Sequence, residues 1–208
     1  MNKVQKFVLI GFTSAITSII LLTTGSYAFA MEFANYTSEK YKIQFEYPTD
    51  WTVTEKTSRF DSGADISIDS QKEGEAIKII YGEENLEQNF GSSDLETATF
   101  KTLDDLTTHY SYEFNTIENP SYITIDNQKT GTFLFTMQNK YEEYSPKMAT
   151  QQWVTFIGDN GYMFGYITPT STFDNPEHME IRDNFIKSIK FLDAESGTNT
   201  LKSTSRFD

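Results

Sequence analysis

The chain has 208 residues, a net charge of −13 and 15% aromatic side chains. That length fits one domain plus a leader, and the acidic balance argues against general nucleic-acid binding, because it repels phosphate backbones. With no cysteine in the chain, disulfides, thiolate catalysis, Cys-based zinc sites and an N-terminal lipid-modified Cys are excluded.

Residues 1–30 read as an export signal. Lys3 and Lys6 form a short positive start, no charge follows between Phe7 and Met31, and Ala28-Phe29-Ala30 resembles a cleavage site. The rival reading is an uncleaved anchor, since the apolar stretch is long enough to span a hydrocarbon core needing about 20 residues. Thr23, Thr24, Gly25 and Ser26 dilute its second half, which favours cleavage. Either way the domain is expected outside the cytoplasm, secreted or extracytoplasmic. Membrane contact is expected only if the leader is retained. Asn35-Tyr36-Thr37 is a glycosylation sequon, meaningful in a host with that machinery.

The domain opens on Tyr41 to Trp51. Tyr41, Ile43, Phe45 and Tyr47 alternate with Lys42, Gln44 and Glu46, the period of a half-buried strand. Pro48 ends it, having no N–H for a ladder. Trp51 to Glu55, Ala64 to Asp69 and Ala76 to Tyr81 read as further strands, the last apolar on both sides and therefore central; Gly74 centres the turn before it. Gly82 to Asp94 reads as a long polar loop. A helix is expected next, capped by Thr102, with Leu103, Leu106, Tyr110 and Phe114 as its apolar stripe and Asn119-Pro120 at its exit. Tyr122 to Ile125, Gly131 to Met137, Thr150 to Ile157 and Tyr162 to Thr168 read as strands. Asp126-Asn127 and Asp159-Asn160-Gly161 are the turns, and Asn139 to Pro146 is a loop bearing tyrosine and glutamate. Asn175 and Pro176 start a second helix that buries Ile181, Phe185, Ile186 and Ile189, and Lys190 to Leu192 form a last short strand. Residues 194–208 are rich in Ser, Thr and Gly, without a period, and read as a disordered tail. Strands, helix, strands, helix and a short strand imply an α+β sandwich.

Three stretches together resemble the PsbP-like family. They are the opening YKIQFEYPTDW, the turn and strand IDNQKTGTFLFTM from Ile125 to Met137, and the ending with Gly161-Tyr162, Phe173 and FIKSIKF from Phe185 to Phe191. Asn127 stands where the family usually has glycine, and Ile189 where it usually has Phe after Ser188. The resemblance covers about Tyr36 to Asp193. It implies an α/β/α sandwich with a central, mostly antiparallel sheet flanked by helices. The family includes an extrinsic photosystem II subunit that helps retain calcium and chloride, and a Ran-binding nuclear-transport factor shares its fold. The resemblance implies binding and assembly roles rather than one chemistry, so the expected function is that of a non-catalytic accessory subunit or assembly factor of an extracytoplasmic complex.

Candidate sites are few. His178, with Asp174, Glu177 and Glu180 close in sequence, offers imidazole and carboxylates to a divalent cation such as Ca, Mn or Zn, the alternative function, with no other cofactor expected. Acidic residues in a first helical turn also answer the helix dipole. His109 reads as a surface or partly buried residue of the first helix. Asp61, Asp65 and Asp69 do not match a calcium loop. Glu83-Glu84 and Glu142-Glu143 are paired carboxylates that could serve a hydrolase as acid and base, but adjacent residues rarely aim at one bond. Serine lacks a nucleophile motif, and no phosphate-cradling loop occurs. Tyr141, Tyr144 and the tyrosines from Tyr162 to Tyr166 form an aromatic set that reads mostly as core or cross-strand packing; if Tyr141 and Tyr144 are exposed on their loop, they are the candidates for contact with a protein partner.

Overall fold

A computed structural model describes residues 31–56, 64–72, 74–108, 111–142 and 144–192. The leader, the tail, Asp61, His109, Tyr110 and Glu143 therefore lie outside the described residues. Among the described residues, ten strands and three helices follow in the order β1 (Phe33–Ser38), β2 (Ile43–Pro48), β3 (Thr52–Glu55), β4 (Ile66–Asp69), β5 (Ala76–Gly82), α1 (Leu86–Phe90), α2 (Leu95–Thr107), β6 (Tyr112–Ile125), β7 (Gln128–Asn139), β8 (Met148–Ile157), β9 (Asn160–Pro169), α3 (Pro176–Ser188) and β10 (Lys190–Phe191). Seven strands form one sheet in the order β3-β4-β5-β9-β8-β7-β6, and β1-β2-β10 form a smaller one. Every pairing is antiparallel. The expected α+β sandwich with a mostly antiparallel sheet is the fold observed.

The alternation from Tyr41 onward holds. Tyr41, Ile43 and Phe45 are buried, while Lys42, Gln44 and Glu46 are only partly so. The strand before it, β1, was not expected from sequence. It pairs with β2 from Phe33↔Pro48 to Ser38↔Ile43, across a turn in which Lys42 takes φ 52°. The sequence FANYTS carries little apolar alternation, and its half-buried pattern arises from the partner strand.

The helices correct two expectations. The stretch from Gly82 to Asp94, read as a loop, contains α1, whose N-cap Asn85 accepts from the Gln88 N–H at 3.1 Å and whose C-cap Gly91 has φ 74°. Phe90 anchors it in the core against Phe156 at 5.5 Å between ring centroids. The first long helix is capped by Asp94, not Thr102: the Asp94 carboxylate accepts the Thr97 N–H at 2.9 Å. Thr102 is buried mid-helix, and Phe114 belongs to β6. The apolar spacing from Leu103 to Phe114 runs across a helix end into a strand, so a real 3.6-residue stripe was extended one turn too far. Pro120 lies inside β6 rather than closing a helix. This strand is a sheet edge, and its register shifts around Ile117 and Pro120, where a residue without an N–H is tolerated.

Asp126 and Asn127 make the two-residue β6–β7 turn with φ 44° and 65°, the left-handed pair that Asn and Asp tolerate. The β8–β9 turn is set one position earlier than expected. Ile157 pairs with Asn160, so Gly158 (φ 60°) and Asp159 form the turn. Gly161 lies in β9 because the Phe90 ring rests on its α-carbon, where any side chain would collide.

The large sheet has a core on each face. On one, Phe164, Tyr162, Tyr166, Ile77 and Ile79 pack with Phe45, Ile43, Trp51 and the α3 residues Ile181 and Phe185. On the other, Phe133, Phe135 and Val154 pack with Phe90 and with Ala98 of α2. Helices thus cover both faces. α2 lies over β6 to β8 and α1 beside β5 and β9.

Candidate functional site

α3 begins as the sequence predicts, with Asn175 and Pro176, and this places His178 on the inward side one turn in. The ring is 2% exposed. Its Nδ1 lies 2.7 Å from the Tyr166 hydroxyl, and its Nε2 3.4 Å from Glu75 Oε1. The other Glu75 oxygen accepts from the Ser70 hydroxyl at 3.1 Å. Burial, with the Glu75 carboxylate adding, pushes the Tyr166 hydroxyl far above its ordinary value, so it remains protonated. In the tautomer that leaves Nδ1 bare, Tyr166 O–H donates to Nδ1 and Nε2–H points to Glu75. The result is a closed polar chain, Ser70–Glu75–His178–Tyr166, that ties the β4–β5 turn to α3 and β9.

The three residues considered for a cation are not gathered around one point. Both His178 nitrogens have protein partners. Glu177 reaches Lys72 at 3.2 Å across the surface, and Asp174 is exposed at the border of a separate cleft. Among the described residues, no group of three or more His, Asp or Glu side chains is placed to hold a metal ion. A cation at His178 has to displace Tyr166 or Glu75. The acidic residues upstream are likewise engaged: Asp65 accepts the Tyr81 N–H at 2.8 Å, and Asp69 pairs with Lys78 at 2.5 Å. Glu83, Glu84 and Glu142 are exposed.

The Asp69–Lys78 pair gives a pH prediction. Burial raises the Asp69 carboxyl, but hydrogen bonds from Lys78 and Ser67 and the lysine charge outweigh it and hold it below the usual range. A carboxyl depressed in the folded state adds stability above its unfolded value, about 4, and loses it as pH falls through the folded value. Asp69→Asn is therefore expected to flatten the acid limb of a stability–pH curve, read by urea melts below about pH 5. An unchanged acid limb counts against the pair.

Tyr141 and Tyr144 stand on the β7–β8 connection and are 76% and 91% exposed. The backbone beneath them is held: the Tyr141 N–H donates to Asn139 Oδ1 at 3.0 Å, the Ser145 N–H to the Glu142 carbonyl at 3.0 Å, and Gln138 Nε2 to the Ser145 carbonyl at 2.9 Å. Two large rings are thus presented to water on an ordered turn. Beside them runs an open groove of about 590 Å³, bordered by Glu142, Ser145 and Pro146, by Met137, Met148 and Ile167 of the sheet, and by the turn from Ser70 to Glu75. Sequence reasoning missed this groove and the Glu75–His178 pairing, because both join segments far apart in the chain. The other tyrosines grouped with this pair, Tyr162 and Tyr166, are core residues.

Among the described residues, no helix is long and apolar enough to cross a membrane. No protein-family profile matches the sequence, and no curated protein does. Solved structures do match. Cyanobacterial PsbP from Synechocystis sp. PCC 6803 superposes with a TM-score of 0.59 at 14% identity, over 77% of this chain and 93% of that one. LpqN of Mycobacterium tuberculosis, a protein involved in cell envelope biogenesis, superposes with a TM-score of 0.52 at 11% identity, over 77% and 91%. The chain has a PsbP-like fold.

Proposed function

We propose that this chain is an exported, non-catalytic binding module, a subunit or assembly factor of an extracytoplasmic complex, and that its partner is a protein. The observation that carries this reading is the exposure of Tyr141 and Tyr144 on a hydrogen-bonded loop beside a groove. Large aromatic side chains are usually buried. Tyrosines held outward by an ordered backbone are what protein interfaces use as anchors, because little conformational freedom is left to lose on binding. The Glu75–His178–Tyr166 set is buried and its members engage one another, which favours a structural role over turnover. The leader-like residues 1–30 and the likeness to an envelope protein support a place outside the cytoplasm. Gly82–Asp94, read from the sequence as a polar loop, is less suited to partner contact, since its centre is a helix fixed by Phe90.

The test is affinity capture from the native envelope fraction with the tagged full chain and with Tyr141→Ala/Tyr144→Ala. The wild type is expected to retain a reproducible protein partner. The double variant is expected to lose it while its melting temperature stays within a degree or so, as for surface changes of about ±0.5 kcal/mol. Equal capture by both forms refutes the assignment of the loop, and finding the chain only in the cytoplasm refutes the export.

A further inference from the structure

A second cleft, of about 320 Å³, opens between α3 and the β6–β7 edge. It is at the small end of the roughly 300–1,000 Å³ typical of ligand clefts. None of the residues of the Tyr141–Tyr144 loop lines it. Leu134, Ala149 and Phe173 give it an apolar floor, and Arg182 stands beside them. The Arg182 guanidinium lies over the Phe173 ring, 4.5 Å from its centroid. That stacking fixes the plane of the fork. Among the described residues, nothing forms an ion pair or a hydrogen bond with the Arg182 guanidinium. Asp174 and Glu118 border the same cleft, and neither has a charged partner among the described residues. Thr136 also lines it, buried, with its hydroxyl unpartnered; such a group ordinarily finds a partner in a folded protein.

A partly buried guanidinium beside two carboxylates over a hydrocarbon floor selects by charge. A phosphate or dicarboxylate meets the two acidic residues. A simple amine leaves Arg182 bare, and a neutral apolar molecule engages none of the three charges. We propose that this cleft binds a small aliphatic α-amino acid as its zwitterion. The carboxylate takes the fork of Arg182, the ammonium faces Asp174 and Glu118, and the hydrocarbon side chain rests on Leu134, Ala149 and Phe173. Bidentate pairing with a carboxylate is the arrangement for which Arg, rather than Lys, is suited. This site is independent of the protein-binding loop, and one can fail without the other.

The experiment is calorimetry and amide NMR on the full chain with leucine, leucinamide and 4-methylpentanoate, which carry both charges, the ammonium alone and the carboxylate alone. Leucine is expected to bind saturably at millimolar concentration or below and to shift the signals of Ile117, Thr136, Ala149 and Gln151. The two analogues are expected to bind at least about tenfold more weakly. Arg182→Met is expected to lose leucine by about tenfold or more, and Arg182→Lys, which keeps the charge without the fork, by several-fold. Asp174→Asn, an exposed change that leaves the core alone, is expected to weaken leucine but not 4-methylpentanoate. No saturable leucine binding at millimolar concentration overturns the proposal. So does undiminished binding in a folded Arg182→Lys or Asp174→Asn protein, or 4-methylpentanoate binding as well as leucine does.

Discussion

His178→Ala is expected to destabilise the domain by about 3–5 kcal/mol, the cost of breaking a buried pair by removing one member. The substitution leaves the Glu75 carboxylate, 7% exposed, with Ser70 as its remaining side-chain hydrogen-bond partner among the described residues, removes the partner of the Tyr166 hydroxyl, and opens a void under α3. Each of these is a buried polar group losing its partner. The effect depends on the pairing rather than on the ring alone. Replacing both members, Glu75→Leu with His178→Leu, is accordingly expected to recover much of the loss, since apolar residues of similar volume can stand in for a buried pair. Denaturant melts of the two single variants and the double variant measure the coupling. Additive losses show that Glu75 and His178 do not act as a pair. A wild-type melt for His178→Ala, together with loss of a bound cation, returns the ring to the role of ligand.

Trp51→Ala is the second large effect, at about 3–5 kcal/mol. Trp51 is 7% exposed and belongs to the core between the two sheets and α3. Its backbone N–H donates to the Pro48 carbonyl at 3.0 Å, so the turn that ends β2 delivers the indole into that core. Truncation leaves a cavity that neighbours on two sheets and a helix cannot all move to fill. A domain of ordinary stability, about 5–15 kcal/mol, then loses a large share of it. Urea melts are expected to show a lower midpoint with an unchanged slope. A mutant that melts with the wild type and yet loses a partner or ligand assigns Trp51 to a binding surface instead.

The strands with strong alternation were legible in the sequence, and so were the Asp126-Asn127 turn and the Asn175-Pro176 helix start. Each is decided by residues within a few positions of one another. The misses have a common cause, in that a distant partner decides them. β1 is a strand because β2 lies beside it. α1 is a helix within a polar run because Phe90 finds Gly161 and Phe156, 71 and 66 positions on by the numbering. Thr102 was taken for a cap because the Asp94 signal, eight residues earlier, sits among serines and a glycine that read as loop. At the sites, sequence proximity grouped Asp174 and Glu177 with His178, whereas the fold gives His178 to Glu75 and Tyr166. The loop around Tyr141 and Tyr144 was legible because no apolar period runs through it, whereas their exposure comes from the structure. The groove beside them was not, since its other wall comes from the β4–β5 turn.

The central claim is that the Tyr141–Tyr144 loop meets a protein partner. Site-specific photo-crosslinking in the native host tests it most directly, with a photoreactive phenylalanine analogue at position 144 and, as a control, at position 100, where an exposed Phe sits on α2. The account predicts a discrete crosslinked species from position 144, lost when Tyr141 is also changed to alanine, and none from position 100. Crosslinking from both positions alike, or from position 100 alone, contradicts it.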